Sequence, residues 1–82
     1  MPRSSYVNGR FVPHSQAMVH VEDRGFQFAD GVYEVIFVFG GCFIDVEEHL
    51  DRLERSLGEL QMAPPLGRTS LKLIMRETLR RN

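Results

Sequence analysis

Apolar positions in the first half of the chain follow the two-residue period of β-strands. Short apolar runs on either side of Asn8 and Gly9, a pair preferred in two-residue turns, predict a β-hairpin over residues 5–12. A weaker pattern predicts a short strand at residues 17–21. Residues 32–39 are almost continuously β-branched or aromatic, which indicates a central strand covered on both faces. A second hairpin would follow, with two glycines as its turn and residues 42–44 as the return strand.

The pattern changes to a helical period after this hairpin. Asp45 is a good N-cap, and Glu48 at the third helical position would complete a capping box. The apolar residues then recur every three or four positions, at Val46, Leu50, Leu53, Leu57 and Leu60. The proline pair that follows ends this helix near Met62, and a second amphipathic helix begins after Thr69 or Ser70. Strands followed by helices predict an α+β fold, an antiparallel sheet of hairpins with two helices.

Size and composition narrow the possible function. With 82 residues, the chain is long enough for one small domain. A hydrophobic share of 43% argues against disorder, and a net charge of −1 gives no reason to expect nucleic acid as a partner. The single cysteine, Cys42, excludes an internal disulfide, fits a reducing compartment and is expected to be a small buried hydrophobe. No apolar signal core or membrane span is present, so a cytoplasmic protein without a membrane partner is expected.

Several polar side chains are candidates for a site, although the residues alone also allow purely structural roles. The pattern makes Arg52 a helix-surface arginine one turn after Glu48, and Tyr33 a strand aromatic with a hydrogen-bonded hydroxyl. Glu34 would lie on the strand face opposite Tyr33, where a buried acid needs a partner, and Arg24 is the nearest candidate. The histidines lack the spacing of metal ligands, so no metal site is expected: His14, His20 and His49.

Two motifs carry a family resemblance. The stretch E-D-R-G-F-Q-F-A-D-G-V-Y-E-V at residues 22–35, with the later run E-H-L-D-R-L at residues 48–53, resembles class IV (fold type IV) aminotransferases that depend on pyridoxal phosphate. Within that family the chain is most similar to D-amino acid aminotransferases, over roughly Tyr6 to Leu60. The resemblance is specific, because two long motifs stand in the same order and at the same separation. It implies that residues 1–82 form the small N-terminal domain of such an enzyme.

The resemblance also implies a role for individual residues. The arginine of the second motif, Arg52, would contact the phosphate of pyridoxal 5′-phosphate, a task that suits a permanently charged guanidinium fork. Tyr33 would lie in the active site, on the side of the substrate's carboxylate. Val35 and Phe37 share the strand face of Tyr33 and would line the substrate pocket, where Phe37 would tune side-chain preference.

The resemblance places the remaining chemistry elsewhere. In this family the lysine that holds the cofactor lies downstream, in a larger second domain. The only lysine here, Lys72, lies in the second predicted helix, so this chain is expected to contain no catalytic residue and to be inactive alone. The complete protein would be a homodimer that transfers an amino group between D-amino acids, such as D-alanine, and 2-oxo acids, such as 2-oxoglutarate.

Three alternatives remain open at this point. Branched-chain aminotransferases and aminodeoxychorismate lyases share the fold, but the former usually carry Phe-Glu-Gly in place of V-Y-E-V, and the latter usually lack the Tyr-Glu pair. The V-Y-E-V segment at residues 32–35 therefore favours the D-amino acid group. The third alternative is a non-catalytic module that dimerises or binds a ligand.

Overall fold

The computed structural model describes residues 2–82, which cluster into two compact units. The first unit combines the residues up to Asp23 with Leu66–Asn82, and the second is Arg24–Pro65. The elements in chain order are β1 (Ser4–Val7), β2 (Arg10–Pro13), a 3-10 turn (His14–Gln16), α1 (Arg24–Phe28), β3 (Val38–Phe39), β4 (Cys42–Phe43), α2 (Val46–Glu59) and α3 (Arg68–Arg80). Each unit contains one two-stranded antiparallel sheet and at least one helix, so the predicted α+β architecture of hairpins and helices is confirmed.

The hairpin of the first unit forms as predicted. Strands β1 and β2 pair antiparallel with Val7 opposite Arg10, so the turn consists of two residues. These are Asn8 and Gly9, and both have positive φ angles, 50° and 88°. That geometry matches the right-handed twist of the strands, and Asn followed by Gly is the pair that adopts it most readily. The local sequence therefore determines this element.

Helix α3 closes the first unit. It begins at Arg68, two or three residues before the predicted start, and its apolar face is half-buried as expected. The Arg81 guanidinium lies 4.1 Å from the centroid of the Phe11 ring, which itself packs edge-on against Tyr6. The Asn82 amide exchanges two hydrogen bonds with the backbone of Ser4. The chain's last residues thus fasten this helix to the first hairpin.

The predicted strand at residues 17–21 does not form. These residues are exposed and belong to neither sheet, and the segment after them contains the short helix α1 instead of a loop. A short alternating run becomes a strand only when a ladder partner is present, because its backbone groups must be paired. The pattern at residues 17–21 carried no information about such a partner.

The predicted central strand is correct at its end but wrong over most of its length. Only Val38 and Phe39 pair, with β4, through a turn at Gly40 and Gly41 that have φ angles of 58° and 76°. Residues 32–37 lie outside both sheets. Their burial nevertheless alternates, because even-numbered side chains are half-buried and odd-numbered ones are exposed. The expectation that both faces are covered is therefore wrong, and one face is open.

Helix α2 provides the core of the second unit. Leu50 and Leu57 are the buried hydrophobic residues among those that the structure describes. Asp45 precedes the helix as predicted but has φ 55°, and its side chain makes no capping hydrogen bond, so the predicted capping box is absent. The helix ends at Glu59, three residues before Met62. Cys42 is exposed, which corrects the expectation of a buried side chain.

Candidate functional site

Helix α2 presents a row of charged side chains along one side. His49 and Arg52 are three residues apart, so they are neighbours on the helix surface. Both line a pocket of the second unit, whose lining residues are Asp45, Glu48, His49, Arg52 and Arg55. The lining therefore combines two arginines, two acids and one imidazole.

The main interaction at this site joins α2 to the segment of residues 32–37. Arg52 donates from Nε to Glu34 Oε2 at 2.9 Å and from Nη2 to Glu34 Oε1, also at 2.9 Å. Two parallel N–H···O bonds of this kind are the strongest geometry that an arginine and a carboxylate adopt. The Glu34 side chain is 11% exposed and that of Arg52 is 56% exposed. The pair is thus shielded on the side of the acid and open on the side of the guanidinium.

His49 contacts the same carboxylate. Its Nδ1 lies 2.7 Å from Glu34 Oε1 and 3.3 Å from Arg52 Nη2. We assign a proton to Nδ1, because two lone pairs at 2.7 Å would repel each other. Nδ1–H therefore donates to Glu34 and does not accept from Arg52. Glu34 is held from two sides by side chains one helical turn apart.

The electrostatics reflect this arrangement. The hydrogen bonds from Arg52 and then from His49 lower the pKa of Glu34 to about 2, so its carboxylate remains charged in all but strongly acidic solution. The pKa of Arg52 is raised, first by its hydrogen bonds to Glu34 and then by the charge of that carboxylate. A smaller contribution to the Arg52 pKa comes from Tyr33.

The partner of Glu34 differs from the predicted one. Arg24 donates instead to Asp30, with its Nη2 at 2.6 Å and its Nε at 2.8 Å from Oδ2. Arg52 likewise binds Glu34 rather than Glu48, the residue one turn earlier on α2. Two signals in the sequence point to the observed pairing. By the two-residue period Glu34 shares one face with Val32 and Ile36, and the three-residue spacing of His49 and Arg52 puts two donors on one helix face.

The three predicted substrate contacts lie on the open face of the same segment. Tyr33, Val35 and Phe37 are 84%, 63% and 76% exposed, respectively. They share one face, as the two-residue period predicts, and Glu34 lies on the opposite face. Their role in substrate binding stays a prediction.

The donor set at Arg52 fits a phosphate group in one specific way. A guanidinium carries five N–H donors, and Glu34 occupies the side formed by Nε and Nη2. The other end of the fork is formed by Nη1 and the second hydrogen of Nη2, and these are the donors that would bind an anion. Asp45, Glu48 and Arg55 line the same pocket, so it carries charges of both signs. The anion contact that we favour is Arg52, because its guanidinium is fixed by a bidentate pair.

Two further properties concern residues 2–82 as a whole. Within that range, no cluster of histidine, cysteine or acidic side chains has the arrangement of a metal site. The same residues include no helix with the length and apolar character that crossing a membrane requires.

Comparison with known proteins gives a consistent picture. The chain is 40% identical over 76 residues to the D-alanine aminotransferase of Listeria innocua. This match covers 93% of this chain and 26% of that enzyme. It is 42% identical over 79 residues to the enzyme of the same name from Staphylococcus haemolyticus, a match that covers 94% of this chain and 27% of that enzyme. The Bacillus licheniformis D-alanine aminotransferase is 40% identical to it over 70 residues, a match that covers 85% of this chain and 25% of that enzyme. No protein-family profile and no solved structure matches the chain.

These matches confirm the resemblance that the two motifs predicted. The chain is therefore a homologue of the D-alanine aminotransferases over part of their length. It spans about a quarter of the length of the curated relatives that it matches.

Proposed function

We propose that residues 1–82 form the N-terminal domain of a class IV, pyridoxal-phosphate-dependent D-amino acid aminotransferase. The complete protein transfers an amino group between D-amino acids, such as D-alanine, and 2-oxo acids, such as 2-oxoglutarate. It acts as a cytoplasmic homodimer. The observation that carries the proposal is the match of 93% of this chain to a D-alanine aminotransferase, together with an arginine that lines a pocket and is held by Glu34.

The proposed role of Arg52 is to bind the phosphate of the cofactor. Its guanidinium is held at one end by Glu34, and it lines the pocket on α2. The remaining N–H donors suit phosphate oxygens, and the raised pKa of Arg52 keeps the group charged. Pyridoxal phosphate, when bound, supplies the electron sink for breaking the bond to the α-hydrogen of the amino acid.

The proposed role of the open face is to bind the substrate. The Tyr33 hydroxyl donates a hydrogen bond to the substrate's carboxylate. The exposure of the Tyr33 side chain leaves it accessible for this contact. Val35 and Phe37 form walls of the pocket for the substrate side chain and exclude water from it. None of these residues transfers a proton in the proposed reaction, so this chain alone is expected to be inactive.

Turnover by the complete protein tests the proposal. The purified protein should show a visible absorbance band of bound cofactor that D-alanine bleaches and 2-oxoglutarate restores. D-Alanine should be a better substrate than L-leucine or aminodeoxychorismate. Preference for L-leucine would instead assign a branched-chain aminotransferase, and conversion of aminodeoxychorismate would assign a lyase. A protein without the absorbance band would favour a non-catalytic binding module.

A further inference from the structure

Glu34 has no place in the proposed chemistry, yet it makes the most extensive side-chain contacts at the site. Its carboxylate accepts from Nε and Nη2 of Arg52 and from Nδ1 of His49. It lies on the face opposite Tyr33, so it cannot share that residue's contact with substrate. Two roles are possible for such an acid. It either only fastens residues 32–37 to α2, or it also sets the orientation of Arg52.

We propose that Glu34 is a positioning residue for cofactor binding. It holds the Nε and Nη2 side of Arg52, so that the end formed by Nη1 and Nη2 faces the phosphate. This inference rests on the proposed function, because it requires that Arg52 binds the phosphate.

The geometry favours orientation as the dominant effect of Glu34. Arg52 is 56% exposed, and a long side chain that is open to solvent samples many rotamers unless its end is fixed. A bidentate pair fixes the plane of the guanidinium as well as its position, which a single hydrogen bond would not do. Binding an anion to a guanidinium that is already oriented avoids the entropic cost of ordering it.

The charge of Glu34 opposes this effect, but more weakly. A carboxylate beside the arginine reduces the attraction of the site for a phosphate. Because solvent reaches more than half of the Arg52 side chain, water and salt screen that repulsion. His49 further offsets it by donating Nδ1–H to the same carboxylate. We therefore expect removal of the Glu34 charge to weaken cofactor binding, although simple electrostatics predicts the opposite.

The test is the dissociation constant of pyridoxal 5′-phosphate from the complete apoprotein. Glu34→Gln should raise this constant about tenfold, the effect of one charge-assisted hydrogen bond. Glu34→Asp keeps the carboxylate and should lose less than Glu34→Gln. In an Arg52→Lys background, Glu34→Gln should have no further effect, because a lysine offers no fork to orient. Equal losses in both backgrounds would show that Glu34 does not act through Arg52.

Glu77→Gln is the matched control. Glu77 also accepts from two side chains, Arg80 and Arg81, and its pKa is likewise lowered to about 2, but it belongs to the other unit. This variant should lower stability without changing the dissociation constant. If Glu34→Gln behaves in the same way, Glu34 is only structural and the inference is overturned.

A second readout does not depend on the cofactor. In the apoprotein, the Nε–H proton of Arg52 should give a resolved NMR signal that is protected from exchange by Glu34 and lost in Glu34→Gln. A signal that is unchanged in the variant overturns the inference. If the wild-type protein binds the cofactor and turns over D-alanine while Glu34→Gln binds equally well, only this inference fails. A wild-type protein that does not bind the cofactor overturns the proposed function as well.

Discussion

Glu34 and Glu77 are carboxylates that each accept hydrogen bonds from two side chains. Both have pKa values lowered to about 2 from an ordinary value of 4.5, through Arg52 and His49 in one case and Arg80 and Arg81 in the other. Between pH 4.5 and pH 2 the unfolded chain takes up protons at these positions and the folded chain does not. The free energy of unfolding therefore rises with pH across this window.

Acid unfolding tests this effect. The stabilisation from each carboxylate should be fully present above pH 4.5 and should be lost as the pH falls towards 2. Urea unfolding at a series of pH values should show a slope that Glu34→Gln and Glu77→Gln each reduce by up to one proton. A variant with the slope of the wild-type chain would mean that its carboxylate titrates normally in the folded state.

At this scale the sequence proposes site residues only where a motif names them. The roles of Arg52 and Tyr33 come from their place in two motifs and stay predictions, whereas the pairing of Glu34 was assigned to the wrong arginine. The prediction favoured Arg24 because it is closer in sequence, and the structure pairs Glu34 with Arg52, 18 residues away. Sequence separation is a poor guide here, since the direction of a side chain from an extended segment decides which helix it meets.

At the scale of elements, two glycines of the second unit, Gly41 and Gly58, differ in backbone conformation. Gly41 has φ 76° in the turn between β3 and β4, whereas Gly58 lies within α2 and has no positive φ. A Cβ at either position would meet no heavy atom within 4 Å. Packing therefore does not decide the effect of an alanine at these positions, and backbone conformation does.

This contrast predicts opposite effects of one substitution. Gly41→Ala should lower the free energy of unfolding by roughly 1–2 kcal/mol, because a left-handed backbone is unfavourable for an L-residue. Gly58→Ala should raise it by about 1 kcal/mol, since alanine is the better helix former. Urea unfolding of the two variants beside the wild-type chain measures both. Equal effects of the same sign would contradict the conformations described here.

Elements defined by local signals were predicted well, and those that depend on distant partners were not. The turn at Asn8 and Gly9 specifies its own hairpin, and the spacing of leucines specifies α2. The strand at residues 17–21 and most of the one at residues 32–39 needed a partner that their own pattern cannot name. Apolar composition indicates that a face is suited to being covered, but not which residues cover it.

At the scale of the whole molecule, the main feature is how little apolar surface is buried. Among residues 2–82, Leu50 and Leu57 are the buried hydrophobic residues, while Tyr33, Val35 and Phe37 are largely exposed. A contiguous exposed apolar face of this kind is typical of a surface that binds a ligand or another part of a protein. The proposed function supplies both, because about three quarters of the matched enzymes lie outside this chain.

Hydrogen exchange can test whether this face is covered in the complete protein. The amides of residues 32–37 lie outside both sheets, so in the 82-residue chain they should exchange almost as fast as those of an unstructured peptide. In the complete protein they should be slowed at least about tenfold, because covering the segment excludes water and pairs its backbone groups. The amide of Leu57, inside α2, is the internal control and should be protected in both proteins.

If residues 32–37 exchange equally fast in both, nothing covers this face, and Val35 and Phe37 lose their proposed place in a substrate pocket. Such a result would leave the Arg52 site untouched, since Glu34, which holds that arginine, lies on the opposite face of the segment.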